Sequence, residues 1–537
     1  MKLKNLFSVA AMGLIIASCS SDEPTKDTTG SGSSTPGYLS VKINLPSTSG
    51  SRAVSYEEGL ANEYSVDDAV MYVWKKVGDI EKDYTFVTYA NIEKPVPEHP
   101  SEIEDVYSDF TALAELQTLL KSGADEYYAL VMLNTQKGDF TVSTPAVGTT
   151  YEEWNAAKEA SITVGFKPQF FMANSAIFEP GSQRPTTLVK IDVTKIKPTK
   201  EAAQAAGNGV EVYVERGVAK VTILQPDQLT IESGVYKDDV VDIKSWTLDV
   251  TNKKTFAVHK TFGLKDEFNT IWGTSRFIGA HRVYWGIDPN YNDCEPGNEA
   301  DIATYFNRAK ESDYVAKFGE ENPQYCLENT FDIDHMLQGQ TTRVVFQAIY
   351  TPQGITPGGD FYMVQGKTYD LARILEYIKG RAMQAHNLAE SEITVAMPND
   401  VKAGIVNITK DFFTVSKAGI TVDDAFVGKV NDLIPGDILY YKGGVNYYVA
   451  RIQHFGDEET PWIFGDPTYN GDNQKYLGRY GMLRNNWYEL KVKSVSSPGY
   501  PELPPIDPNT PDDETKYYML TQCHILKWAK RTQEINL

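Results

Sequence analysis

The chain is short of the residues most chemistry needs. It holds 4 cysteines and 7 histidines in 537 residues. So few cysteines over this length make no disulfide framework. There is no CxxC, HExxH or Cys/His cluster, so no zinc site is expected. His99, His259, His281, His335, His386, His454 and His524 are dispersed, none with a metal-like neighbour. GxSxG, Walker and GxGxxG motifs are also missing. Asp and Glu are too many and too scattered to single out a catalytic pair. No enzyme and no cofactor are therefore expected. Basic residues are in deficit, 51 Lys and Arg against 72 Asp and Glu, for a net charge of −21. That excludes nucleic acid as an expected partner.

What is present is β-pattern and punctuation. Residues 1–18 read as a targeting segment, with Lys2 and Lys4 ahead of the apolar run Leu6–Ala17, too short to span a bilayer. Small residues lead into Cys19, as in a bacterial lipobox, which marks Cys19 for lipidation. Residues 19–37 are a polar, flexible tether. Tyr38–Leu45 alternates strictly, with Leu39, Val41, Ile43 and Leu45 on one face. Pro46 ends it, and a small-residue loop follows with one basic side chain, Arg52, before Ala53. A trypsin-like or Arg-specific protease would cut after Arg52, the plainer alternative being an ordinary solvated charge in a loop.

Two β-rich domains are expected, at 53–235 and 236–496. Strands are expected at Val70–Trp74, Tyr127–Leu133, Phe170–Asn174, Thr187–Val193, a single Val212–Ile223, Ile243–Val250, Thr342–Tyr350, Tyr440–Tyr441, Tyr447–His454 and Trp487–Val495. Leucine spacing predicts helices at Asp109–Lys121 and Leu371–Leu388, with another helical pattern at Ile302–Lys310. The class is mainly β with a few helices, in sandwich-like sheets rather than βαβ units. Between Val401 and Gly436 no pattern is legible.

Two loops carry side chains of interest. Asp288, Asn290, Asn292 and Glu299 stand at offsets 1, 3, 5 and 12 of a calcium loop. Asp293, however, sits where the turn needs glycine, and a solvated acidic loop is the plainer expectation. Cys294 and Cys326 are a candidate disulfide pair in an oxidising compartment.

The C-terminus is a β-rich stretch, residues 516–537, behind a Pro-rich hinge at 497–515 that reads as stiff and poor at packing. It carries Leu520, Ile525, Leu526 and Trp528. Either it is an ordinary strand of its own sheet, or it completes a sheet in another molecule.

Taken together, these pieces resemble the type V fimbrial shaft subunits of Bacteroidales, most like the short (minor) fimbria subunits of Porphyromonas. The resemblance is carried by the lipobox at Cys19, Tyr38–Leu45, Arg52-Ala53, Tyr127–Asn134, Phe170–Asn174, Val214–Val221, Tyr325–Thr330, Tyr440-Tyr441, Tyr480–Tyr488 with Leu490–Val495, and the hinge with its terminal strand. It implies two tandem β-sandwich domains of transthyretin-like type and a non-enzymatic fimbrial (pilus) subunit. The precursor would be a lipoprotein held in the outer membrane through Cys19, then built into a cell-surface fimbria. Residues 38–52 would be a propeptide strand and cleavage loop. After cutting between Arg52 and Ala53, the strand with Leu39, Val41, Ile43 and Leu45 would leave. A donor strand with Leu520, Ile525, Leu526 and Trp528 from a neighbour would replace it. Implied partners are further copies head to tail, accessory and anchor subunits and the protease. Implied roles are adhesion, autoaggregation and biofilm formation. The alternatives are an accessory or tip adhesin of the same fimbria, or an outer-membrane glycan-binding lipoprotein.

Overall fold

The computed structural model describes residues 37–44, 60, 63, 66–93, 109–118, 120, 123–135, 140–160, 170–177, 185–262, 285–290, 294–330, 333–455, 460 and 476–512. It also gives the backbone of 278–279, 282–283, 524–526 and 529–536. The protein is mainly β.

The first sheet is built from β1 (Gly37–Asn44), β2 (Ala69–Lys75), β3 (Thr85–Ile92), β4 (Asp109–Leu116), β5 (Tyr127–Leu133), β6 (Met172–Asn174) and β7 (Val210–Arg216). They pair in the order β2-β3-β4-β1-β7-β6-β5, and β5 pairs again with β2. The sheet therefore closes on itself and presents no free edge among these strands. Its interior is apolar, with Leu39, Val41, Ile43, Met71, Val73, Ala114, Val131 and Val212 buried together.

β4 corrects the helix expected at 109–121. Its leucines do fall at helical spacing, but the backbone is claimed by β3 on one side and β1 on the other. Two flanking ladders outweigh the modest helix preference of a short Ala/Leu/Glu run.

The strand expected at 212–223 is two strands in two sheets. β7 ends at Arg216 in the first sheet, and β8 (Val218–Ile223) begins the second unit. The switch is made at Gly217, where a Cβ would lie 1.9 Å from the Phe171 ring. The chain thus passes from one core to the other ahead of residue 235.

The second unit is a sandwich. One sheet orders β10 (Gln324–Leu327), β8, β15 (Asn486–Ser494), β16 (His524–Leu526) and β17 (Ala529–Asn536). The other holds β9 (Val240–Asp249), β11 (Arg343–Thr351) and β14 (Val445–Arg451). Val221, Tyr488 and Leu490 from the first meet Trp246, Phe346 and Ala450 from the second in one core. A third apolar cluster, with Trp74, Phe170, Val258, Tyr325 and Trp487, forms the seam between the two units.

Between the adjacent strands β11 and β14 lies an insertion with a core of its own. β12 (Phe361–Val364) pairs with β13 (Ile438–Tyr441). Phe361 and Tyr441 face the sandwich core, while Tyr362, Val364 and Tyr440 face helices α2 (Leu371–His386) and α3 (Asp424–Asn431). α2 is the helix expected from its amphipathic spacing, capped by Asp370 and closed by Asn387 in the left-handed region. α3 falls in the stretch where the sequence shows no pattern. An earlier helix, α1 (Lys200–Ala206), is capped by Thr199.

Candidate functional site

β1 is the strand with the cleanest alternation, and the fold puts it in the middle of a sheet. It runs antiparallel to β4, with Leu39 opposite Ala114, Val41 opposite Ala112 and Ile43 opposite Phe110. It runs parallel to β7 from Val41↔Val210 to Asn44↔Tyr213. Leu39, Val41 and Ile43 are each 0% exposed. Its polar face is also engaged. Ser40 Oγ donates to Asn208 Oδ1 at 3.0 Å, and Asn44 Nδ2 to Glu211 Oε1 at 3.0 Å. Lys42 pairs with Glu211 at 3.0 Å across a half-exposed surface. Leu45, Arg52, Ala53 and Cys19 lie outside the described residues.

The front of β1 has a second set of contacts that the sequence did not signal. Tyr38 N donates to Lys197 O at 2.8 Å, and Lys197 N returns to Tyr38 O at 2.9 Å. Gly209 N donates to Ser40 O at 2.9 Å.

After β1 the chain is described again at Leu60 and at Glu63, which is wholly buried at the seam. Its carboxylate pairs with Lys220 Nζ at 2.8 Å and accepts from Tyr325 Oη at 2.5 Å. Arg216 Nε donates to Glu63 O at 2.8 Å. Burial draws the Lys220 ammonium below its ordinary range, against the pull of Glu63. These groups tie the segment after β1 to β7, β8 and β10 at once.

The Pro-rich stretch corrects another expectation, since residues 497–512 are strapped to the sandwich. Tyr447 and Tyr500 exchange backbone bonds at 2.8 and 2.9 Å, Tyr441 Oη donates to Gly499 O, and Arg343 Nη2 to Pro504 O. Asp512 is buried, faces Arg451 at 3.2 Å and accepts from Thr341 Oγ1 at 2.5 Å. Prolines give no N–H, but their carbonyls and the residues between them supply enough partners. In the single chain β16 pairs antiparallel with β15, Leu526 opposite Trp487 and Ile525 opposite Tyr488, and β17 runs parallel to β15. Leu520 and Trp528 lie outside the described residues.

Two further candidates are placed as follows among the described residues. Cys294 and Cys326 are not bonded to one another. Cys294 sits with Val250, Ile302 and Phe306, its Sγ accepting from Gln340, while Cys326 belongs to the sandwich core. Different clusters hold them, and burial pushes the Cys294 thiol up to about 11. Asp288 is not a solvated loop carboxylate. It is buried and accepts from the backbone N–H groups of Asn290 and Thr330 at 2.7 and 2.8 Å, and burial raises it to about 7. No group of His, Cys, Asp and Glu fit to hold a metal occurs among the described residues.

The chain thus has the fold of a mainly β protein with a closed first sheet, a second sandwich and a buried N-terminal strand that completes the first. Residues 439–534 match the family model of the major fimbrial subunit protein type IV, fimbrillin, C-terminal. That segment, from β13 through β17, is similar to the C-terminal region of fimbrillins, in line with the resemblance to Bacteroidales fimbrial subunits. No curated protein matches the chain by sequence. Among solved structures, the chain is similar to a fimbrilin from Porphyromonas gingivalis W83, at 11% identity over 93% of this chain and 96% of that one, TM-score 0.37. It is also similar to a C-terminally truncated tip fimbrial protein from Porphyromonas gingivalis, at 11% identity over 85% and 95%, TM-score 0.27. A third is a fimbrial assembly protein from Parabacteroides distasonis ATCC 8503, at 10% identity over 62% and 84%, TM-score 0.28. The family match, not these distant likenesses, carries the functional reading.

Proposed function

We propose that the protein is a structural subunit of a cell-surface fimbria, made as an outer-membrane lipoprotein precursor and assembled by protease-triggered strand exchange. The observation that carries this is the position of β1. It lies ahead of the Arg52-Ala53 bond in the chain, it is buried, and it is the piece that closes an otherwise open sheet. Cutting at Arg52-Ala53 would sever its covalent link to the rest. Burial of Leu39, Val41 and Ile43 stabilises it by about 1.5–3 kcal/mol each, so roughly 5–9 kcal/mol resists its departure. Once it leaves, β4 and β7 offer unpaired backbone and an apolar trough, a surface that another strand must cover. A neighbour's terminal segment, residues 516–537, is the proposed occupant. Such a contact is head to tail and propagates into a filament. Adhesion, autoaggregation and biofilm formation would follow from the filament, and accessory and anchor subunits would be further partners. The inserted unit around α2 and α3, which takes no part in the groove, favours a second reading as an accessory adhesin of the same fimbria.

The test is N-terminal sequencing and electron microscopy of surface material. Assembled protein is expected to begin at Ala53, and Arg52→Ala to leave an uncut precursor and no filaments. Assembled filaments whose subunits still begin at a lipidated Cys19 would overturn the reading.

A further inference from the structure

The ladder between β1 and β7 starts only at Val41↔Val210. The front of β1 is gripped instead by the turn around α1, through the paired Tyr38–Lys197 bonds and Gly209 N to Ser40 O. These bonds are made to backbone, so any strand of the same polarity could make them. Leu39 is different. A Cβ at Gly209 would lie 2.3 Å from Leu39 Cδ1 and 3.2 Å from its Cγ, with Lys195 Cβ only 3.0 Å away. The leucine therefore rests on bare backbone, in space that any other residue at 209 would fill. Gly207, two residues earlier, has φ +75° and closes the α1 turn, a conformation that favours glycine. Gly209 has no such φ. Its lack of a side chain serves space, not backbone shape. Beside it, Asn208 Oδ1 accepts from Ser40 Oγ at 3.0 Å, suiting a small polar residue next along the strand.

We infer that Gly209 is a specificity-determining residue: it makes the groove select, at the place of Leu39, a strand from a second copy that presents a leucine-sized apolar side chain followed by a small polar one. This rests on the strand-exchange reading above. The chemistry is that of a hydrophobic pocket with a glycine floor, where loss of the large side chain leaves a void and gain of a Cβ at 209 removes the space.

The test uses the full-length precursor, cut by an Arg-specific protease in the presence of a fluorescent synthetic peptide of residues 37–44. Captured peptide is read on the subunit by size exclusion. Wild-type protein is expected to capture this peptide at least tenfold better than the same peptide carrying Leu39→Ala. Gly209→Ala protein is expected to lose that preference. Should Gly209→Ala fail to fold, the two peptides on wild-type protein still decide. Equal capture of both peptides by the wild type would overturn the pocket, as would capture of neither while filaments form. Preferential capture with no filaments in peptide-free controls would leave the pocket standing and overturn the polymerisation reading.

Discussion

His259 shows how much of the seam's electrostatics hangs on single residues. It is buried with its Nδ1 3.2 Å from Glu215 of β7 and 3.9 Å from Glu328, which in turn takes a bond from Arg484 Nε at 2.9 Å. Burial pulls the imidazole down, but Glu328 and Glu215 outweigh it, with Arg484 opposing, and the ring is held above its ordinary value. A histidine raised on folding contributes stability that is full below its unfolded pKa, about 6.5, and is lost as pH rises through the folded value. Asp288, raised to about 7, has the same sign, its contribution fading from about pH 4 to 7. Melting temperature is therefore expected to fall as pH rises from 6 toward alkaline values, in contrast with a protein held by ordinary exposed carboxylates. His259→Gln should flatten that slope above about pH 6.5. A mutant whose melting temperature tracks the wild type across that range would remove His259 from the account.

At the scale of elements, the junction at Gly217 decides where one core ends and the next begins. The Phe171 ring stacks on Phe140 with centroids 4.0 Å apart, and it fills the space a side chain at 217 would need. Gly217→Ala is expected to destabilise the protein by about 1–3 kcal/mol through overpacking, read as a lowered melting temperature. Phe171→Leu in the same chain should recover part of it. An unshifted Gly217→Ala melt would mean that the ring moves aside at little cost. Such junctions are why the sequence was only partly readable. β1, β5, β11 and α2 were legible because their apolar spacing is strong and their ends are marked. β4 was not, because its leucines satisfy a helix and only the two flanking strands dispose otherwise. β7 and β8 read as one strand because a lone glycine between two β-runs does not say that the sheet changes. The grip on β1 by Lys197, Asn208 and Gly209 depends on residues some 160 positions downstream. No local pattern could have shown it.

For the whole molecule, the strap at 497–512 relocates the question of what the terminal stretch does for its own subunit. From sequence, residues 497–515 read as a stiff hinge that packs poorly. The buried Asp512, facing Arg451 and Thr341, instead fixes the chain to the sandwich up to that point. The proposed donor stretch lies beyond it. β15 turns Tyr488, Leu490 and Val492 into the core against Trp246, Phe346 and Ala450. On its opposite face β15 carries the exposed Lys491 and Lys493, charges that discourage unwanted pairing of a bared strand. A chain ending at Asp512 should therefore melt within a few degrees of the full-length precursor. After cutting by the Arg-specific protease it should yield no filaments, because the opened groove between β4 and β7 has no strand to receive. Calorimetry of both uncut precursors and electron microscopy of both cut samples measure this. If β16 and β17 were instead an integral part of the sandwich, the truncated precursor would melt far lower or aggregate. If the truncated chain melts normally and still forms filaments of ordinary length, some other segment fills the groove, and the terminal stretch is not the donor.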